Sequence, residues 1–402
     1  MSVTPGQAVP GQPLVPLHCL RFAEPGPPRQ AALPNGTPVW LVSRHRDARQ
    51  VLTDPAFGRA LLYAPDAPPL TSTPNLLDDP DSLLNQDGPD HQRLRRTVQR
   101  AFTPRAVARW RPWVASVVEQ LVDDLVKSGP PADVVAGFST PLPVAVISRL
   151  MALDGLDQDR MRHWSNLALS DSSHTPEEVA AALREFGAFA AQLIAERRRE
   201  PGEDLVSSLL AAAEAEGSIP ERQLVSLVCG LVVGGHETTM TSLGNALVYL
   251  LSEAPESWVR LGTDEEAAGA AVEQLLRAIP LGEPKELPGT VRRASVEVEV
   301  GGVTIPAGAV VAVQSQIANR DPEVYAEGQF GDLFAPLAAP SLTFGAGPHH
   351  CLGAWLARME MQLALHRLAD RLPGLRLAEP VADIDWRLGS ITRSPQRLTV
   401  VW

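Results

Sequence analysis

The ten residues from Phe344 to Gly353, FGAGPHHCLG, contain three glycines, one proline, two histidines and one cysteine. Glycine and proline at this density predict a tight loop whose backbone approaches something flat or bulky. A helical pattern begins directly after the loop, so Cys351 stands at a helix N-terminus, where unpaired amides and the helix dipole lower the pKa of a thiol. A thiolate there is a nucleophile, a redox centre or a metal ligand, whereas an isolated cysteine is more often a small buried apolar residue.

The most apolar helix that the sequence predicts spans about residues 221–252 and carries polar groups at its middle. Gly234 and Gly235 each cost about 1 kcal/mol relative to alanine in a helix interior. Glu237 and Thr238 follow them, and polar groups in an apolar segment are costly without partners. The combination indicates either a functional site or a structural polar cluster at a helix kink.

A third candidate is the basic stretch that begins at residue 91. His91 and Arg95 are four residues apart and therefore share one helical face, while Arg93, Arg96 and Arg100 lie on another face. Taken singly, each of these side chains would be an ordinary solvated charge.

Together these stretches resemble the cytochrome P-450 family of haem-thiolate monooxygenases. The family's haem loop, F-G-x-G-x-H-x-C-x-G, is matched at all six fixed positions, among them Phe344, Gly345 and Gly347. The resemblance implies that Cys351 is the axial metal ligand of a haem b (iron protoporphyrin IX). No C-x-x-C-H motif is present, so the haem is expected to be noncovalent. The resemblance also implies four ligands of the haem propionates: His91, Arg95, Arg292 and His349.

The glycine-rich centre of the long helix resembles the family's oxygen-activation motif, [A/G]-G-x-[D/E]-T. The resemblance implies that Gly235 lies against the haem. It also implies that Thr238 hydrogen-bonds the oxygen being activated and that Glu237 relays protons from solvent.

The chain departs from the family at the E-x-x-R motif of the helix before the strand region. Gln274 stands where the glutamate belongs, three residues before Arg277, and Glu273 projects about 100° away around the helix. An arginine that usually precedes a phenylalanine is replaced by Gln329. Removing one charge from a buried ion-pair network leaves its partner uncompensated, whereas removing a glutamate and an arginine together can be nearly neutral. We expect Gln274 to accept from Arg277, with weaker anchoring of this helix to the segment before the cysteine loop.

The 402-residue chain has 45% hydrophobic and 20% charged residues, the balance of a globular protein with a sizeable core. Its net charge of −12 argues against nucleic-acid binding, and its three widely spaced cysteines argue against a disulfide scaffold. No run reaches the roughly 18 uninterrupted apolar residues of a membrane helix, and the N-terminus lacks the pattern of a signal peptide. We therefore expect no membrane association and a cytoplasmic location.

The sequence predicts a mainly α fold with small β sheets. A Pro-rich N-terminal segment, 1–37, precedes a single large haem-thiolate monooxygenase domain, 38–402. Apolar and polar residues alternate over 290–313, which predicts short strands, and a last helix is predicted at about 352–372. The resemblance implies the cytochrome P-450 fold, with the long central helix over the haem.

The activity that the resemblance implies is oxidation of a small natural product with dioxygen and two electrons, by hydroxylation, epoxidation or oxidative coupling. The C-terminal sequence and the altered E-x-x-R motif resemble members that oxidise aromatic cyclodipeptides, including tryptophan-containing ones. A ferredoxin-type donor would dock at the proximal face, attracted by Arg93, Arg96 and Arg100.

Three alternatives remain open. One is a haem-thiolate enzyme that uses peroxide or isomerises its substrate, and another is a non-catalytic haem-binding protein. A zinc site at His349, His350 and Cys351 is the third, although no second ligand cluster accompanies it. Met240 stands where the second histidine of H-E-x-x-H would be, which excludes that type of zinc protease.

Overall fold

A computed structural model describes residues 14–33, 35–70, 75–153, 156–170, 172–217, 219–283, 290–326 and 330–402. In this part of the chain thirteen α-helices form: α1 (His45–Thr53), α2 (Gly88–Gln99), α3 (Pro104–Ala108), α4 (Arg111–Ser128), α5 (Pro141–Met151), α6 (Gln158–Ala168), α7 (Pro176–Arg199), α8 (Leu205–Ala215), α9 (Glu221–Ser252), α10 (Pro255–Thr263), α11 (Glu265–Ala278), α12 (Ser315–Ala318) and α13 (Ala354–Arg371). The predicted mainly α architecture is confirmed.

The strands are short: β1 (Arg29–Ala32), β2 (Pro38–Val42), β3 (Phe57–Gly58), β4 (Ala132–Asp133), β5 (Val291–Ala294), β6 (Val298–Val300), β7 (Val303–Ile305), β8 (Val310–Val313), β9 (Arg376–Leu377), β10 (Trp386–Arg387), β11 (Ser394–Pro395) and β12 (Thr399–Val401). The largest sheet has the order β1-β2-β8-β5-β3, in which β2 and β8 are parallel and the other pairs antiparallel. The alternation over 290–313 therefore does correspond to strands, β5 to β8.

Helix α9 runs through the core with the bounds that the sequence predicted, Glu221–Ser252. Buried residues occur on all its sides, because α5, α7, α10 and α13 pack around it. Among the described residues it is the one helix long and apolar enough to cross a membrane, but 61% of its most apolar window is buried in the protein. That burial is typical of a core helix.

The hairpin β6–β7 shows why its turn carries two glycines. Val300 pairs with Val303, and the two residues between them, Gly301 and Gly302, have φ angles of 55° and 80°. Positive φ at both central positions is what a tight hairpin turn requires, and glycine adopts it without a steric penalty.

The N-terminal segment contributes to the same fold. Strand β1 pairs with β2 over Arg29↔Leu41 to Ala32↔Pro38, and Leu17 lies in the main hydrophobic core. Residues 1–13 lie outside the described residues, so the division at residue 37 stays a prediction.

The altered E-x-x-R motif still joins α11 to the segment before the cysteine loop. Oε1 of Gln274 accepts from Nε and Nη2 of Arg277, at 3.1 and 3.0 Å, as expected. The same amide donates through Nε2 to the Ala335 carbonyl at 3.0 Å, a bond that a glutamate could not make. Glu273 pairs with Arg358 of α13 instead (Nη2 to Oε2, 3.2 Å). Gln329 lies outside the described residues.

We predict that Gln274→Glu gives little or no rise in the thermal midpoint. A carboxylate gains charge attraction to Arg277 but loses the donor to Ala335 and places two oxygens face to face, so the terms offset each other. Thermal unfolding of the holoprotein measures this. Gln274→Met is the control, and it should be destabilised by about 1–3 kcal/mol because the buried Arg277 loses one of its acceptors and keeps the Asn319 carbonyl. A clear gain in midpoint for Gln274→Glu would overturn this account.

Candidate active site

The cysteine loop has the backbone that its glycines predict. Gly345 and Gly347 both have φ near +69°, and a Cβ on Gly347 would lie 2.6 Å from the backbone oxygen of Leu52. The backbone N–H of Cys351 donates to the Phe344 carbonyl at 2.9 Å, which closes the loop. Helix α13 then begins at Ala354, so the sulfur lies at a helix N-terminus as predicted.

The thiol pKa does not behave as the helix position alone suggests. Cys351 is exposed to the cavity but lies deep among protein atoms, and desolvation there raises its pKa. This effect outweighs the groups that favour the thiolate, namely the backbone N–H groups of Gly353 and Ala354 and the guanidinium groups of Arg95 and Arg358. The predicted lowering of the pKa was therefore wrong for the protein alone, because desolvation dominates. A coordinated metal ion would supply the missing charge, since it deprotonates a ligating thiol.

Cys351 faces a cavity of about 340 Å³. Its wall includes five other predicted site residues: Thr238, Arg292, Phe344, Gly345 and His349. The thiol and the hydroxyl of the central helix thus line the same space, although 113 residues separate them in the sequence (351 minus 238).

Basic side chains of helix α2 lie beside the cysteine loop, whose His349 lines the cavity. The rings of His91 and His349 lie 4.3 Å apart, and Nε2 of His349 lies 3.1 Å from Oδ1 of Asp87. Arg95 donates from Nη2 to the His350 carbonyl at 2.7 Å. Burial lowers the pKa of His91 to about 4, and its Nε2 atom has no hydrogen-bond partner among the described residues.

Two buried arginines complete this cluster. Arg292 is 3% exposed and Arg59 is 5% exposed, and both line the cavity. Burial, followed by the like charge of Arg59, lowers the pKa of Arg292 to about 10. Arg59 donates from Nε to Oδ1 of Asn85 at 2.8 Å. Buried cations call for anions, since an unpaired charge in a low-dielectric site is costly.

The site therefore fits a haem. The thiol offers an axial ligand, the cations in the wall suit two carboxylates, and the orphaned imidazole nitrogen of His91 offers one further donor. The zinc alternative is not supported, because His349 is directed to Asp87 and no group of metal ligands within the described ranges includes Cys351.

Not every predicted site residue lines the cavity, and those outside its wall are His91, Arg95, Gly235, Glu237 and Gly347. Gly235 serves the packing of α9, because a Cβ there would lie 2.6 Å from Cδ1 of Ile147 in α5. Gly347 is held against Leu52 as described above.

Glu237 lies behind the cavity wall in an ion pair. It is 3% exposed, and one carboxylate oxygen accepts from Nη2 of Arg387 and, at 3.4 Å, from the hydroxyl of Thr392. Arg387 also donates to Asn166 at 2.7 Å. Thr238, the next residue, donates to the Gly234 carbonyl at 3.0 Å and keeps its hydroxyl at the wall. The acid and the hydroxyl thus occupy two sides of one helix.

Sequence reasoning missed Arg59, Asp87 and Arg387. None of the three belongs to a motif, and each contacts residues far away in the chain, Arg387 and Glu237 being 150 positions apart. The only signal was indirect: a buried acid such as Glu237 calls for a cationic partner.

We predict that Arg292→Gln accelerates haem transfer to apomyoglobin. A charged hydrogen bond contributes about 1.5–3 kcal/mol, which corresponds to a rate increase of about 10- to 100-fold. The matched control is Arg293→Gln, because Arg293 donates to both carboxylate oxygens of Asp66 (2.9 and 2.7 Å) outside the cavity. Equal effects of the two substitutions on the rate of haem transfer, or no effect of Arg292→Gln, would contradict the assignment of Arg292 as a propionate ligand.

Comparison with known proteins gives the same answer. A family model described as Cytochrome P450 matches residues 270–372. Nocardicin C N-oxygenase of Nocardia uniformis subsp. tsuyamanensis is 43% identical over 376 residues, which cover 94% of this chain and 92% of that protein. A solved structure described as HinD with NMFT and NO superposes with a TM-score of 0.87 at 40% identity, covering 94% of this chain and 93% of the other. A second solved structure, cytochrome P450mel 107F1 with biaryl coupling reactivity, superposes with a TM-score of 0.86 at 34% identity, and it also covers 94% of this chain and 93% of the other.

Proteins of this kind act on small molecules and receive electrons from a redox partner. The chain is thus an oxidoreductase, a monooxygenase of natural-product biosynthesis that uses a cysteine-ligated haem, and it belongs to the cytochrome P450 family.

Proposed function

We propose that the substrate is an aromatic cyclodipeptide that contains tryptophan, and that the reaction is hydroxylation, epoxidation or oxidative coupling. The observation that carries the enzymatic part is the cavity that Cys351 and Thr238 share. An electron-rich aromatic substrate also agrees with the biaryl coupling reactivity named for the structural neighbour P450mel 107F1.

The cavity wall, which the haem and the substrate would share, suits such a molecule. It is mostly apolar, through Leu84, Ile279 and Leu281, and it carries the hydroxyl groups of Ser242 and Thr290. A mostly apolar pocket with a few polar groups binds a compact molecule and orients it by hydrogen bonds. Leu84 lies between β3 and α2, and Leu281 follows α11. Residues 71–74 and 284–289 lie outside the described residues.

The cofactor that fits the site is haem b, held by this chain's own residues. Cys351 would bind the iron, and His91, Arg95, Arg292 and His349 would bind the propionates, with Arg59 as a further cation nearby. A bound haem would supply oxygen activation, which a thiolate ligand would favour by donating electron density to the iron. The protein positions the substrate, excludes water and delivers protons.

Proton delivery falls to Glu237 and Thr238. Thr238 lines the cavity, and the carboxylate of Glu237, which can accept or release a proton, lies behind it. Glu237 is ion-paired with Arg387 and is not part of the cavity wall, so a change of rotamer would have to carry its carboxylate toward the cavity before it could exchange a proton there. Binding of haem alone would require neither residue, which disfavours a non-catalytic haem protein.

The experiment is reconstitution of the holoenzyme with a ferredoxin and its reductase, after spectral binding titrations with cyclodipeptides, terpenoids and macrolides. We expect saturable binding of the tryptophan-containing cyclodipeptides, and a product that forms only with dioxygen and the donor. Product formed with peroxide alone would favour the peroxide-using alternative. An absence of cyclodipeptide binding would remove the substrate proposal and leave the monooxygenase class intact.

In the same assay, Glu237→Gln is predicted to lower product per electron by about 100-fold or more, the usual scale of general acid–base catalysis. Electrons that no longer reach product should appear as hydrogen peroxide. Glu119→Gln, which alters a surface ion pair with Arg367 and Arg371, serves as the control. An unchanged yield in Glu237→Gln would contradict the proton-delivery role.

We further propose that a ferredoxin-type donor docks near the cysteine loop. Arg93, Arg96 and Arg100 all lie close to one carboxylate, Glu216, whose pKa they lower, led by the hydrogen bond from Arg96. Arg96 pairs with Glu216, and Nη2 of Arg93 lies 3.7 Å from Oδ1 of Asp90, so the patch keeps a net charge of about +1 for an acidic partner. Trp355, four residues after Cys351, is 49% exposed, and exposed aromatic residues are favoured at interface centres.

Reversal of both Arg93 and Arg100 to glutamate is predicted to raise the donor's apparent KM several-fold, and added salt should shrink the difference. Trp355→Ala should raise it in a salt-independent way. Reversal of the two exposed arginines Arg184 and Arg199 of α7 changes the net charge equally and is the control. Equal effects of the two double variants would show that only net charge matters. The cytoplasmic location stays a prediction.

A further inference from the structure

A group of three possible metal ligands lies away from the cysteine loop. Residues 17–19 form a single helical turn that contacts the C-terminal end of α9. In this turn His18 is buried, with its ring edge-on to Tyr249 at 5.2 Å between centroids. Tyr249 in turn stacks on Phe330 at 4.1 Å. Aromatic packing therefore fixes the position of the His18 ring.

Two exposed side chains of different chemistry stand beside that imidazole. They are Cys19, next in the turn, and Glu253, the residue after α9. A ring nitrogen of His18, the sulfur of Cys19 and a carboxylate oxygen of Glu253 all lie within 4.8 Å of one another. In a tetrahedral zinc site with bonds of about 2.0–2.3 Å, donor atoms are separated by about 3.3–3.8 Å. A contraction of about 1 Å, through rotation of the two exposed side chains, would close the site.

Electrostatics also favour a cation at this place. A thiolate and a carboxylate at such a distance repel each other, and a divalent ion between them turns the repulsion into attraction. Sulfur, imidazole nitrogen and carboxylate oxygen are together the donor types that zinc accepts, whereas magnesium and calcium prefer oxygen alone.

We propose that His18, Cys19 and Glu253 bind one zinc ion, with a water molecule as the fourth ligand. Binding releases the thiol proton of Cys19 to solvent. Because the ligands come from the N-terminal turn and from the end of α9, the ion cross-links the two. The site is independent of the haem and of the oxidation that the protein performs.

The test measures the alkylation rate of Cys19 in the holoenzyme, by peptide mass spectrometry after treatment with N-ethylmaleimide. The protein is first freed of metal with a chelator and desalted, and zinc chloride or magnesium chloride alone is then added. Cys229 is buried, so it provides an internal reference for unfolding. The variants are Glu253→Gln and His18→Asn, and the matched control is Glu256→Gln, an equally exposed glutamate three residues further along.

Zinc is expected to slow alkylation of Cys19 about tenfold or more in the wild type and in Glu256→Gln, because a metal-bound thiolate is withdrawn from reaction. Magnesium should have no effect, and the slowing should disappear in Glu253→Gln and His18→Asn. Glu253→Gln alone decides the matter if His18→Asn fails to fold, since residue 253 is exposed. An unchanged rate in the wild type with zinc, or the same slowing in Glu253→Gln, would overturn the proposal.

Discussion

The proposed ligation of a haem iron by the sulfur of Cys351 is the interaction on which the rest of this account depends. In the protein alone, burial favours the neutral thiol, although two backbone amides and two guanidinium groups favour the thiolate. A metal ion changes that balance, because it binds only the deprotonated form. The glycines shape the loop that carries this sulfur, because the position of Gly347 against Leu52 leaves no room for a side chain.

The buried cations around the cavity would also be stabilised by the cofactor. Arg59 and Arg292 lie together in a buried wall, and Arg292 has a lowered pKa that reflects burial and a neighbour of like charge. Asp87 attracts both guanidinium groups and offsets part of the cost of burying them, and a further anion would offset more. Two propionates would provide that anion, so the protein and its cofactor complete one another. The buried carboxylate of Glu237 needs no cofactor to balance its charge, because Arg387 of the same chain is its ion-pair partner.

Much of this was accessible from the sequence, and the limits have a physical cause. The cysteine loop and the bounds of α9 could be predicted, because glycine conformation and apolar periodicity are local properties. Pairings such as Arg387 with Glu237 or Gln274 with Ala335 could not, because folding alone brings those residues together. The thiol pKa was predicted in the wrong direction for a related reason: the helix terminus is visible in the sequence, whereas the extent of burial is not.

The absorption spectrum of the reduced, carbon-monoxide-bound holoprotein reports directly on the iron ligand. Ligation by Cys351 predicts a Soret band at the long wavelength characteristic of a thiolate ligand, and its loss in Cys351→His, where an imidazole replaces the sulfur. A wild-type protein that stays colourless when haem is offered would contradict it. A Cys351→His protein whose spectrum matches the wild type would contradict it as well.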